Sequence, residues 1–243
     1  MTSYWWPTWA DIIAREIPES YNFGQSGGGN MFIACQVTEA NLRHKFNSDD
    51  LVIIMWSGVS REDRFVRNYW STPGNIFTQN EYDEQFIQKF ADPVGYLLRD
   101  LNLITMCYKM LDNLDIDYHM LNMAPFDQLQ SGDTPTIENG GHILEFYKET
   151  IDKIKPDLLT VGCNGRWPQH PITSRSPGGQ TADYHPSPNM HFNYLNQIFP
   201  GCKWRPDTFE FVIEHTNIVK QAKTLDDLHW RAKRPERFGN GPK

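Results

Sequence analysis

An α/β fold built on a parallel sheet is the fold class this sequence predicts. Three observations point to it. Strand-like apolar runs alternate with helical patterns along the chain, as they do in βα units. The run Leu51-Val52-Ile53-Ile54-Met55-Trp56 is apolar on both faces, as a central parallel strand must be. The 243 residues are 39% hydrophobic and 13% aromatic, with 8 tryptophans, which can build one sizeable core and fit one large domain better than two.

Each element has its own signal. Pro7 suits a first helical turn, and residues 8–17 predict a helix with Trp9, Ile12, Ile13 and Ile17 on one face, stopped by Pro18. Tyr21-Asn22-Phe23 predicts a short strand, residues 24–30 a glycine-rich turn and residues 31–46 a helix. Asp49-Asp50 leads into the strand at 51–56. Residues 57–80 form a long polar and aromatic segment with Arg61, Arg64, Arg67, Tyr69 and Trp70, and long irregular segments of this kind are often functional. Residues 81–90 and 93–114 predict helices, the second with Leu97, Leu101, Ile104, Tyr108 and Leu111 on one apolar face. A strand at 118–123 precedes a polar loop through Gly141, a helix at 142–154, and a short strand or turn at 158–161. Residues 162–181 are irregular and carry Trp167, His170 and Arg175. Asn189 can cap a helix at 190–198, and 209–232 is helical on weaker signals. The main domain is expected over 1–207, followed by a C-terminal helix and basic tail over 208–243.

Composition narrows the function. A formal net charge of −7 and a pI near 5.6 argue against a nucleic-acid scaffold, whose footprint is basic. The basic residues 231–243 predict a solvated tail. Cys35, Cys107, Cys163 and Cys202 share no C-x-x-C spacing; beside apolar segments they predict buried free thiols in a reducing compartment. No apolar run reaches membrane-spanning length and no signal peptide is visible, so the expectation is a cytoplasmic protein without a membrane partner.

The chemistry concentrates in Asp183-Tyr184-His185-Pro186-Ser187-Pro188-Asn189. Pro186 and Pro188 each lack an N–H and restrict the residue before them, which makes this a stiff loop ahead of a helix. A histidine on such a loop, beside a carboxylate that can orient it, has the make-up of a general base; the plain alternative is a surface loop. Gly24-Gln25-Ser26-Gly27-Gly28 fits G-x-S-x-G, in which a strained strand-to-helix turn presents a serine nucleophile. The alternatives are a glycine turn that starts a helix, or one whose backbone N–H groups receive an anion. His170, His185 and His191 with Asp183 make a weak metal-donor set, because the spacing of His185 and His191 crosses a loop–helix junction. No metal or cofactor is expected. Arg61, Arg64 and Arg67 read as a solvated basic face or a clamp for an anionic group. Trp56, Tyr69, Trp70 and Trp167 read as core or as platforms for sugar rings.

Trp6-Pro7-Thr8-Trp9-Ala10-Asp11-Ile12-Ile13-Ala14, then Asn22-Phe23-Gly24-Gln25-Ser26-Gly27, then the strand at 51–56, then Asp183-Tyr184-His185-Pro186 follow the order seen in SGNH (GDSL-like) hydrolases. The chain resembles the divergent forms found in phages and bacterial polysaccharide loci, up to about Trp204. The resemblance implies a three-layer, flavodoxin-like α/β/α fold and ester hydrolysis by a serine, with His185 as base and Asp183 as its orienter. It implies that Gly27 is an oxyanion donor, which demotes Ser26. The family has two residues between its aspartate and histidine, where this chain has only Tyr184. Its Gly-x-Asn-Asp block is replaced by Trp56-Ser57-Gly58-Val59-Ser60-Arg61, so Ser57 is the stand-in donor, with Asn30 and Arg61 as further oxyanion or substrate candidates. The family's first strand and its Gly-x-Ser block have no counterpart before Trp6. The expectation is a nucleophile upstream of Met1, with Ser26 the candidate inside the chain and Ser3 a weaker one. The substrate expected is an acylated glycan or small molecule. The alternative is a non-catalytic glycan- or protein-binding module on the same fold.

Overall fold

The computed structural model describes residues 5–17, 19–77, 82–126, 140–170, 172, 183–224 and 227–228. Ser3, Arg175 and the basic tail at 231–243 lie outside these residues. The described chain divides into two compact units: Phe23–Asp157, and the residues up to Asn22 together with those from Leu158 onward. The fold is mixed α/β, with a small parallel sheet and helices, as the alternation of elements predicts.

In the sheet unit, β1 (Leu51–Trp56) pairs in parallel with β4 (Asp117–Asn122), from Leu51 opposite Asp117 to Trp56 opposite Asn122. The apolar face predicted for the long helix is the one buried: α4 (Pro93–Asn113) sets Leu97, Leu101, Ile104, Tyr108 and Leu111 into the core with Ile54 and Trp56 of β1 and Met120 of β4. Its start is set by Pro93 in the first turn and by Asp92, whose carboxylate accepts from Val94 N at 2.9 Å. Packed against α4 and β1 is α2 (Asn30–His44), which buries Ala34 and Val37.

The long segment after β1 is more regular than its composition suggests. A hairpin pairs β2 (Arg64–Val66) with β3 (Tyr69–Ser71). Arg67 and Asn68 between them have φ of 49° and 65°, the double left-handed turn that matches the twist of paired strands. That turn was hidden because neither residue is glycine. Next comes α3 (Glu84–Phe90), with Asp83 accepting from Phe86 N at 2.7 Å. The helix expected over 142–154 is two short ones, α5 (Gly141–Phe146) and α6 (Lys148–Asp152), broken at Tyr147. Ile154 then bridges in parallel to Met120 of β4. Residues 158–161, expected as a strand or turn, lie instead in α7 (Leu158–Gly162), and Tyr21–Phe23 lies outside any strand. Runs this short do not distinguish helix from strand by pattern.

The other unit is helical. In α1 (Trp9–Glu16) the Asp11 carboxylate accepts from the backbone N–H and the hydroxyl of Thr8 at 2.8 and 2.9 Å. α8 (Pro188–Ile198) packs on α1, α7 and α9 (Pro206–Gln221) and buries Tyr194 and Leu195. The boundary expected after residue 207 falls inside α9, whose first turn is tied to α1: Glu16 accepts from Arg205 N, and Arg15 pairs with Asp207 at 3.3 Å. Cys107 and Cys163 are buried as expected, but Cys35 on α2 and Cys202 in the α8–α9 loop are exposed. No helix among the described residues is long and apolar enough to cross a membrane.

Leu101 has no exposed surface at the centre of the α4 face. Leu101→Ala should lower unfolding free energy by about 2–5 kcal/mol, read from urea titration with an unchanged m-value.

Candidate active site

The loop leading into α8 carries the charged pair. Asp183 Oδ1 accepts twice from His185, from its backbone N–H at 2.8 Å and from ring Nδ1 at 3.0 Å. A single intervening residue therefore suffices for the contact, because the loop folds back on the carboxylate. With Nδ1 donating, Nε2 carries the ring's lone pair. The His185 side chain is 60% exposed while that of Asp183 is 18% exposed, so the imidazole is open to solvent and the carboxylate is sheltered. Burial pushes the Asp183 carboxyl up, but the His185 hydrogen bonds, the His185 charge and His170 outweigh it and hold it below the usual carboxylate range.

Three further groups hold this loop. His170 and Asp183 exchange backbone hydrogen bonds at 2.7 and 3.0 Å. His170 Nε2 lies 3.0 Å from the His185 carbonyl oxygen. The indole N–H of buried Trp6 donates to Pro186 O at 2.9 Å, and its ring meets His170 edge-on at 5.5 Å. Pro188 then opens α8, with Ser187 rather than Asn189 at the cap position. His191, in the first turns of α8, is buried with no partner at Nδ1, and burial lowers its pKa to about 3, aided by the His185 charge. It is a neutral core residue. Among the described residues no three His, Cys, Asp or Glu side chains gather as a metal site.

The remaining predicted residues lie in the sheet unit, around the N-terminus of α2. Asn30 is fully buried, and its amide is fully used: Nδ2 donates to Ser57 O at 3.0 Å and to Asp100 Oδ2 at 2.9 Å, while Oδ1 accepts from Ser57 N at 2.7 Å. Neither amide proton is left over for a ligand. The Ser57 hydroxyl is buried without a hydrogen-bond partner. Gly27 has φ of 75°, and a Cβ there would sit 2.1 Å from Thr72 O. Ser26 is exposed on the same turn, where its carbonyl accepts from Thr72 Oγ1 at 2.9 Å. An elbow needs a strand before it and strain at the serine. Residues 21–23 form no strand, and the left-handed conformation belongs to Gly27 rather than to Ser26.

The glycine turn does receive an anion, and the chain itself supplies it. Asp63 accepts from Gly29 N and Phe32 N, both at 2.9 Å, and caps α2 from a distance. Its burial pushes its pKa up, against those two N–H groups and the charges of Arg61 and Arg99. Arg61 is turned inward rather than solvated: Nη1 donates to Gly28 O at 3.1 Å, and its Nε is buried without a partner. Arg64 pairs with Glu62 at 2.9 Å. Trp56 is core, and Trp70 packs edge-on against Phe32 and Phe65. Sequence reasoning missed Asp63 and Asp100. Each stands beside arginine in the chain, at 61 and 64 or at 99, and so reads as part of a solvated charged face.

No family model, curated protein or solved structure matches this chain.

Asp100 supplies a test of the buried network. It is fully buried, and burial pushes its carboxyl up to about 6 from 3.8, against Arg99 and Asn30. A folded-state pKa above the unfolded value means that ionisation costs stability, so this contribution falls as pH rises from about 4 to about 6. In Asp100→Asn that fall should vanish. Urea unfolding at pH 4, 5 and 6 should show the wild-type protein losing stability relative to the variant across the window.

Proposed function

We propose that the chain is a serine ester hydrolase of the SGNH kind, on a three-layer α/β/α fold, acting on an acylated glycan or small molecule. The observation that carries this reading is the Asp183–His185 contact: a sheltered carboxylate, an open imidazole and a 3.0 Å bond to Nδ1. That is the arrangement a general base requires. In the reaction His185 Nε2 takes the proton of a serine hydroxyl as its oxygen attacks the acyl carbonyl. Asp183 stabilises the imidazolium. Collapse breaks the ester C–O bond, and the imidazolium returns the proton to the leaving alcohol. Water, deprotonated by the same imidazole, then releases the acid.

The purified chain should hydrolyse p-nitrophenyl acetate. His185→Ala should lower kcat by about 100- to 10,000-fold, with Asp183→Asn in the same direction and both variants folded by circular dichroism. Turnover that survives in His185→Ala would overturn the assignment of the base.

Two observations favour a second reading, a glycan- or protein-binding module on the same fold: the amide of Asn30 is committed internally, and Ser26 lacks the strained geometry of an elbow. That module should bind acylated oligosaccharides equally well with or without His185, and more weakly in Trp70→Ala or Trp167→Ala, by titration calorimetry.

A further inference from the structure

The geometry points to His170 as the positioning residue that holds the Asp183–His185 pair in register, a role that rests on the hydrolase reading for its consequence but not for its test. Three contacts converge on it. Its backbone exchanges both hydrogen bonds with Asp183, which fixes the height of the carboxylate on the loop. Its ring Nε2 lies 3.0 Å from the carbonyl oxygen of His185. A carbonyl can only accept, so that nitrogen carries a hydrogen. The donor is present in the Nε2–H tautomer and in the imidazolium alike. The third contact is the edge-on packing of the ring against Trp6, whose own N–H holds the next carbonyl, at Pro186.

The consequence follows from the short span of the pair. Asp183 Oδ1 accepts both the backbone N–H and the ring Nδ1–H of His185. The peptide plane that bears the His185 carbonyl lies one bond along from the Cα that carries the imidazole. Holding that plane keeps the ring over the carboxylate. If the plane turns, Nδ1 loses its acceptor, and the exposed imidazole is free to place its proton on either nitrogen. His170 thus acts on the tautomer of the base without touching substrate. Among the described residues, the charged and titratable groups around it are Asp183, whose pKa it helps to lower, and His185. His191 is the neutral buried residue beyond.

The test compares His170→Phe, which keeps a ring against Trp6 but has no donor, with His170→Gln, whose side-chain amide can reach the same carbonyl. Both are made in the full chain. Nitrogen-15 NMR of labelled histidine reads the His185 tautomer directly and needs no activity. Wild-type protein and His170→Gln should hold His185 in the Nδ1–H form, and His170→Phe should give a mixture. On p-nitrophenyl acetate, kcat should fall about 10- to 100-fold in His170→Phe at unchanged KM and recover in His170→Gln. An unchanged tautomer in folded His170→Phe overturns the role of His170. A wild-type protein without turnover, but with the tautomer shift present, overturns the hydrolase reading and leaves His170 in place. His170→Leu carries the same expectation as His170→Phe, so loss of fold in one variant leaves the other to decide.

Discussion

The side chain of Asn30 is the joint on which the sheet unit turns. One amide group ties the first residue of α2 to the backbone N–H and C=O of Ser57, just past the carboxyl end of β1, and to Asp100 on α4. A buried amide with all its hydrogen bonds made stabilises modestly, but leaving any of its partners unpaired costs about 1–3 kcal/mol. This makes the relative placement of the helix, the strand and the long helix close to all-or-none. The glycine run before Asn30 follows from the same constraint. The backbone must come so near Arg61 and Asp63 that a Cβ on Gly29 would meet their side chains at 2.6 and 2.7 Å. Asp63 can then reach the α2 N–H groups, where a carboxylate is favoured by both hydrogen bonding and the helix dipole.

The pair on the α8 loop is built on a different logic. Among the described residues, covalent restriction and a few directed bonds hold it. Pro186 and Pro188 limit the backbone, and Trp6 and His170 each hold one carbonyl. The result is a carboxylate kept ionised in a sheltered position beneath an imidazole that faces water. The proposed base must sit on the open side of such a pair, and the His185 ring does. The internal ties of Asn30 and the buried hydroxyl of Ser57 mark the oxyanion side as the less complete part of the proposed reaction.

Local patterns were legible in the sequence and distant partnerships were not. Leu51–Trp56 is a strand over the residues its apolar run marks, and the five apolar residues spaced along α4 are all buried, with Tyr96, Asp100 and Cys107 beside them. The Asp183–His185 contact could be read because both members sit on one short loop. The β2–β3 hairpin could not, since its turn is built from Arg67 and Asn68 rather than from a glycine pair. Asp63 acts 31 to 34 residues from its own position and Asp100 acts 70 residues away, and in the sequence each is an acid beside a base. Three-residue and four-residue signals failed for the same reason at Tyr21–Phe23 and at 158–161, where packing rather than pattern decides.

The most direct measurement is covalent. A fluorophosphonate probe reacts with a serine only when a base activates its hydroxyl, and peptide mass spectrometry names the residue. One adduct per chain is expected, on a serine, and it should disappear in His185→Ala. A folded wild-type protein that takes no adduct, or one whose labelling is indifferent to His185, would contradict the hydrolase reading.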